Sequence, residues 1–209
     1  IKDQFPIFNN KIKGKKLIYL DSANSSQKPQ TVIDSISDFY TNRFSNVGRG
    51  IYTLAVNASE DYEKTRSSIK KFIGSGKDYE LIFTKNATES LNLVASCFGE
   101  KFIEKNDEII LTETEHHANY VPWDFLRKRK GAIIKFLPID EDGNLKVEEL
   151  EKLISNKTKI ISITHMSNVT GAITPLEKII EIAKKNNIPV CVDGTQGAAH
   201  LDTDIKKMD

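Results

Sequence analysis

A chain of 209 residues, 39% hydrophobic and 28% charged, can bury a sizeable core and has the composition of a folded soluble domain rather than a disordered chain. Thirty Lys+Arg against 29 Asp+Glu leave a formal charge of +1, so no global field draws the protein onto nucleic acid or an anionic membrane. The longest apolar runs, Ile160–Ile163 and Ile188–Val192, fall far short of the roughly 20 residues that span a bilayer. Cys97 and Cys191 both lie in apolar segments, which argues against a disulfide framework and for a reducing compartment. The chain opens at Ile1 without a basic segment followed by an apolar stretch, so no targeting signal is expected in it.

In chain order, the first β-type run is Leu17–Leu20, followed by helical periodicity over Thr31–Phe44 and Ser59–Ile73. In the second helix Tyr62, Ile69, Phe72 and Ile73 share one side opposite Glu60, Lys64, Lys70 and Lys71, and Gly74 ends it. The polar stretch over 74–78 reads as an ordinary loop. Strand and helix signals then alternate: Leu81–Thr84, helix Thr88–Phe98, Glu108–Thr112, helix Pro122–Lys130, Ile133–Leu137, helix Val147–Ile154, Lys159–Thr164, helix Leu176–Asn186 and Pro189–Asp193. Parallel strands need crossovers, and here the crossovers are helices. The expected fold is therefore α/β, a three-layer α/β/α sandwich on a mostly parallel sheet. No repeat or linker divides the chain, so one incomplete domain is expected.

In such sheets ligands collect beyond the carboxyl ends of the strands, which directs attention to the stretches after Thr84, Thr112, Thr164 and Val192. After Thr84, Asn86 with Glu89 three residues on has the form of a capping box. A helix starting there offers unpaired N–H groups at the positive end of its dipole, so Ala87 and Thr88 could receive a phosphate; plain capping is the alternative. Asp193 ends an apolar run, where a buried carboxylate needs a charged or well-bonded partner such as a protonated cofactor ring nitrogen. Asp is also a leading helix cap. Gln196, in the small-residue turn 194–197, could reach a second polar atom of the same ring.

His116 and His117 follow Thr112, and adjacent side chains in extended backbone point opposite ways. They cannot easily share a metal, and no H-E-x-x-H or C-x-x-C pattern accompanies them; one histidine facing a ligand fits better. Asn168, after the next strand, offers an amide to the same crevice or simply builds a turn. No G-x-G-x-x-G, G-x-x-x-x-G-K-[ST] or G-x-S-x-G pattern occurs. Cys97 and Cys191 read as packing, because burial in apolar surroundings raises a thiol's pKa.

Taken together, several stretches resemble the SufS-type (group II) cysteine desulfurases of the class V, fold-type I pyridoxal-phosphate enzymes. They are Tyr19–Ala23 with Gln27–Pro29, Arg49–Ile51, Ala87–Glu89, Glu115–Asn119 with Val121–Trp123, Thr164–Val169, and Val192–Gly194 with Gln196. The resemblance implies pyridoxal 5'-phosphate as cofactor. Ala87 and Thr88 would hold its phosphate, Asp193 would pair with its ring nitrogen and Gln196 would bond its phenolic oxygen. His116 would stack on the ring and shuttle protons, Asn168 would lie beside the substrate, and Arg49 would face the substrate entrance.

The implied reaction takes sulfur from L-cysteine for iron–sulfur cluster assembly, leaving L-alanine and a persulfide on an enzyme cysteine. A homodimer with a SufE- or SufU-like acceptor is implied, in the cytoplasm of a bacterium or a plastid-type organelle of a eukaryote. In the family the Schiff-base lysine, the persulfide cysteine and the substrate-carboxylate arginine follow the segment that ends here at Asp209. Residues 1–209 are therefore expected to be an N-terminal segment plus most of the cofactor-binding large domain, inactive alone; Lys206 and Lys207 lack the lysine's context. Gly48 and Tyr52 stand where relatives often carry histidines, and Asn86-Ala87 where Gly-Thr is usual. Selenocysteine lyase, cysteine sulfinate desulfinase and a non-catalytic partner-binding subunit remain open as alternatives.

Overall fold

The computed structural model describes residues 1–77 and 79–208 and resolves into two compact units, Ile1–Phe72 and Ile73–Asp209. No change of composition marks the boundary, which falls where a long helix stops and Gly74 turns at φ +66°. Of the loop expected over 74–78, Asp78 lies outside the described residues.

In the first unit two 3-10 turns, Lys2–Gln4 and Pro6–Asn9, lead into a small antiparallel pair, β1 (Lys11–Ile12) and β2 (Lys15–Lys16). Its two-residue turn places Lys13 at φ 50° and Gly14 at φ 77°, the left-handed backbone that a tight hairpin demands. Helix α1 (Gln30–Asp38) follows Pro29 and widens into a π-helical turn, Phe39–Arg43. Helix α2 spans Thr53–Phe72. It begins well before the expected Ser59, and its buried residues are Ala55 and Ala58. The apolar side expected to bury Phe72 does not do so, since Phe72 is 72% exposed. Nor is Leu17–Leu20 a strand. A strand is held by a ladder with a neighbour, and the only ladder in this unit is β1 with β2.

The second unit contains, in order, α3 (Ala87–Phe102), β3 (Glu108–Thr112), α4 (His117–Lys130), β4 (Ile133–Leu137), α5 (Leu150–Leu153), β5 (Thr158–Thr164), α6 (Leu176–Lys185), β6 (Val190–Asp193), α7 (Gly197–His200) and α8 (Ile205–Met208). Strands β4-β3-β5-β6 form one parallel sheet. The expected strand Leu81–Thr84 is irregular backbone ahead of α3, with Ile82 71% exposed, because the sheet does not take it up.

The period-2 alternation of the strands divides the core into two layers. Ile109 and Leu111 of β3 and Ile160 of β5 face Ala95, Trp123 and Leu126 of α3 and α4. Ile110, Ile161 and Ile163 face Leu150 of α5 and Leu176, Ile179 and Ala183 of α6. Burying each such side chain stabilises the fold by roughly 1.5–3 kcal/mol. The three-layer α/β/α sandwich is thus the architecture of this unit, and it brings the carboxyl ends of β3, β5 and β6 side by side.

Candidate functional site

The first wall of the site is the start of α3. Asn86 has extended backbone and its side-chain oxygen accepts the Glu89 amide at 2.9 Å, while the Glu89 carboxylate accepts the Lys85 amide at 2.6 Å. The expected box is therefore present in shifted form, reaching back one residue beyond the cap. It fixes Ala87 and Thr88 in the first turn of a 16-residue helix, where outward N–H groups and the dipole favour an anion.

The second wall is the turn from β3 into α4. His116 is the cap of α4, its Nδ1 accepting the Ala118 amide at 3.1 Å. The helix starts at His117 and carries Pro122 inside it, whereas the sequence reading started it at the proline. This corrects the expected opposition of the two histidines, since only His116 is extended and His117 is already helical. Their rings meet edge-on, 6.2 Å apart. Both line a cavity of about 310 Å³ together with Thr88, Asn92 and Val121. Thr88 and His116, chosen separately from sequence, thus share one concavity.

The end of β6 carries Asp193, with Gln196 just beyond it, and neither is among the residues lining the Thr88–His116 cavity. Asp193 is 6% exposed, and its Oδ1 accepts the Thr195 amide at 3.0 Å and the Thr195 hydroxyl at 2.6 Å. Among the described residues no lysine, arginine or histidine forms an ion pair with it. Asp193 pairs across the ladder with Thr164 of β5, whose amide donates to Glu115 Oε1 at 2.9 Å. The end of β6 and the His116 turn are therefore joined through the end of β5.

Gln196 is half-buried and leads into α7. The turn needs Gly197, because a Cβ there would stand 2.2 Å from Nδ1 of the buried His165. Burial pushes the His165 pKa down, favouring the neutral ring.

Asn168 is exposed in a turn organised by Ser167, whose hydroxyl oxygen accepts the Val169 and Thr170 amides at 3.2 and 3.3 Å. It is not among the residues lining the Thr88–His116 cavity. Arg49 is an exposed residue of the first unit. Cys97 is exposed rather than packed, because the buried stripe of α3 runs through Leu91, Ala95 and Gly99 and passes it by. Cys191 is half-buried, and burial pushes its thiol up despite a bond with Ser162. A roomier cavity of about 550 Å³ is lined mainly by apolar residues of α6, β6 and α8.

Sequence reasoning assigned no role to Glu115, Asn119 or Ser162, which form a hydrogen-bonded group beneath His116. The available signal was Ser162 inside an apolar strand and an Asn in the first turn of a helix.

Residues 18–209 match the aminotransferase class-V family model. A probable cysteine desulfurase of Halalkalibacterium halodurans is 43% identical over 208 residues, covering 100% of this chain and 51% of the relative. A cysteine desulfurase of Wigglesworthia glossinidia brevipalpis is 45% identical over 210 residues, covering 100% and 51%. The apo structure of cysteine desulfurase from Thermococcus onnurineus NA1 superposes with a TM-score of 0.90 at 34% identity, over 99% of this chain and 50% of that one. Cysteine desulfurase CsdA from Escherichia coli gives 0.85 at 33% identity, over 99% and 51%. The chain spans about half the length of the curated relatives it matches. Its sandwich and a family match that runs from residue 18 to residue 209 agree, and the chain belongs to the aminotransferase class-V family.

Proposed function

We propose that the protein is a pyridoxal-phosphate-dependent cysteine desulfurase of SufS type, taking the sulfur of L-cysteine and leaving L-alanine. The observation that carries this reading is Asp193: a buried carboxylate at a strand end, bonded only through Thr195 among the described residues. A buried charge of this kind calls for a cation, and a protonated pyridine ring supplies one. Oδ1 is already engaged by Thr195, which leaves the second oxygen for that ring N–H. The donor set fits the rest of the cofactor, with the phosphate at the first turn of α3 beside Ala87 and Thr88 and the phenolic oxygen within the remit of Gln196. When bound, the protonated ring supplies an electron sink.

The chain's own residues do the remaining work. Asp193 keeps the ring nitrogen protonated, and α3 anchors the phosphate through backbone N–H groups. His116 has Nδ1 committed to the Ala118 amide, so Nε2 is the nitrogen left to stack over the ring and exchange a proton there. Asn168 and Arg49 are proposed on the substrate side. In the wider reading the enzyme is a homodimer, cytoplasmic in a bacterium or in a plastid-type organelle of a eukaryote, that feeds sulfur to iron–sulfur cluster assembly through a SufE- or SufU-like acceptor, with L-cysteine as substrate. Names of relatives such as those of Wigglesworthia glossinidia and Thermococcus onnurineus support the desulfurase activity.

The test is cysteine-dependent alanine release by the full-length protein and its Asp193→Ala variant. Breaking a buried pair costs about 3–5 kcal/mol, and at about 1.4 kcal/mol per decade the variant should lose on the order of a hundredfold or more in rate. Turnover within about threefold of wild type removes Asp193 from the role given it.

A further inference from the structure

Glu115 sits in the turn between β3 and α4, and each of its oxygens faces a donor. Oε1 accepts the Thr112 hydroxyl at 2.5 Å and the Thr164 amide at 2.9 Å, and Oε2 accepts the Asn119 side-chain amide at 2.7 Å. Asn119 is fully buried. Its Oδ1 accepts the Ser162 hydroxyl at 2.7 Å and the Trp123 indole N–H at 3.3 Å. An indole can only donate, so Asn119 must turn its oxygen to Trp123 and its NH₂ to Glu115. The Thr164 amide can likewise only donate. Both Glu115 oxygens are thereby required to accept, which a carboxylate does and a neutral amide cannot.

This group ties together the ends of β3 and β5 and the first turn of α4, and His116 lies inside the clamp. Its carbonyl accepts the Asn119 amide at 2.8 Å, and its side chain follows Glu115 directly in the chain. Burial pushes the Glu115 carboxyl up, and the nearby Asp193 charge adds to this against the pull of its three donors, so the carboxylate is held at an electrostatic cost.

We propose that Glu115, acting with Asn119, is a positioning residue that sets the entry of α4 and so fixes the orientation and tautomer of His116 at the cavity it shares with Thr88. The inference rests on the catalytic reading of His116 given above. Glu115 touches no reacting atom in it.

The experiment exploits the donor–acceptor logic in the full-length protein. Glu115→Gln keeps the volume but sets an NH₂ group against the obligate NH₂ of Asn119. Adding Asn119→Asp restores an acceptor there, while the second Asp oxygen still receives Ser162 and Trp123. The variants are read by alanine release and by nitrogen-15 NMR of the His116 imidazole without substrate. Wild type should show an unprotonated Nδ1. Glu115→Gln should mix the tautomers and lose on the order of a hundredfold in turnover, the scale of a small misplacement of a catalytic group; the double variant should recover most of both.

A Glu115→Gln protein with wild-type His116 signals and rate overturns the proposal, as does a double variant no better than the single one. If Glu115→Gln does not fold, Ser162→Ala, which removes one donor to Asn119, replaces it; a shifted His116 signal supports the clamp and an unshifted one overturns it. If the wild-type protein releases no alanine, the proposed function fails, and the His116 signals alone still decide the clamp.

Discussion

The two units carry similar sequence signals to different ends. Helix α2 runs 20 residues and buries only Ala55 and Ala58, whereas the ten-residue α6 buries Leu176, Ile179 and Ala183 at helical spacing. The difference is what each helix has to lie on. Helix α6 covers one face of a parallel sheet whose strands present Ile110, Ile161 and Ile163. The first unit has only the two-residue strands of β1 and β2. Helix α2 carries instead exposed pairs such as Lys64–Glu60 at 3.4 Å and Arg66–Glu63 at 3.1 Å, which water screens to little net stabilisation. Periodicity specifies a helix; burial requires a second surface of matching chemistry.

The contrast can be broken by substitution. Ile161→Ala, at a fully buried site between β3 and β6, should cost about 2–5 kcal/mol in denaturant unfolding; a loss below about 1 kcal/mol would mean that the second unit is not the rigid core. Gly197→Ala forces its Cβ against the His165 ring and should cost about 1–3 kcal/mol, with an unchanged midpoint refuting that close approach.

Acid should act through Glu108. Burial pushes its carboxyl up, but bonds from Lys135 at 2.8 Å, Ser155 at 2.7 Å and Thr158 at 3.0 Å outweigh burial and hold it below the ordinary range. With the folded value below the unfolded one, this stabilisation is present above about pH 4.3, the ordinary glutamate value, and is lost as pH falls through the folded value. Glu108→Gln should therefore flatten the acid limb of thermal stability, and an unaltered slope contradicts the assignment. The smallest effect is expected in the first unit, where Ile51 is 96% exposed: Ile51→Ala should shift stability by no more than about 0.5 kcal/mol, and a core-sized loss would erase the distinction between the units.

What the sequence disclosed follows the same division. Strands β3 and β4 fall at the residues read from their apolar runs; β3 is buried along its whole length, as a central parallel strand is, while β4, at the sheet edge, buries only Leu137. Leu17–Leu20 and Leu81–Thr84 are such runs and are not strands, because pairing depends on a neighbour that composition does not record. The start of α4 was hidden twice. His116 is not a usual cap residue, and Pro122 mimics a first-turn proline while standing inside the helix. Thr88, His116 and Asp193 could be singled out as candidates because each stands at a strand end or a helix start, and the fold brings Thr88 and His116 to one cavity. Glu115 and Asn119 were not, since their meaning lies in donor and acceptor directions that only the folded turn defines.

Asp193 is proposed to hold the protonated ring nitrogen of pyridoxal 5'-phosphate at the end of β6. The direct measurement is the nitrogen-15 NMR signal of ring-labelled cofactor bound to the full-length protein and to its Asp193→Asn variant. A protonated, hydrogen-bonded ring nitrogen in wild type that reverts to the unprotonated signal in the variant is the expected result. An unprotonated ring in wild type, or the same signal in both proteins, would contradict it.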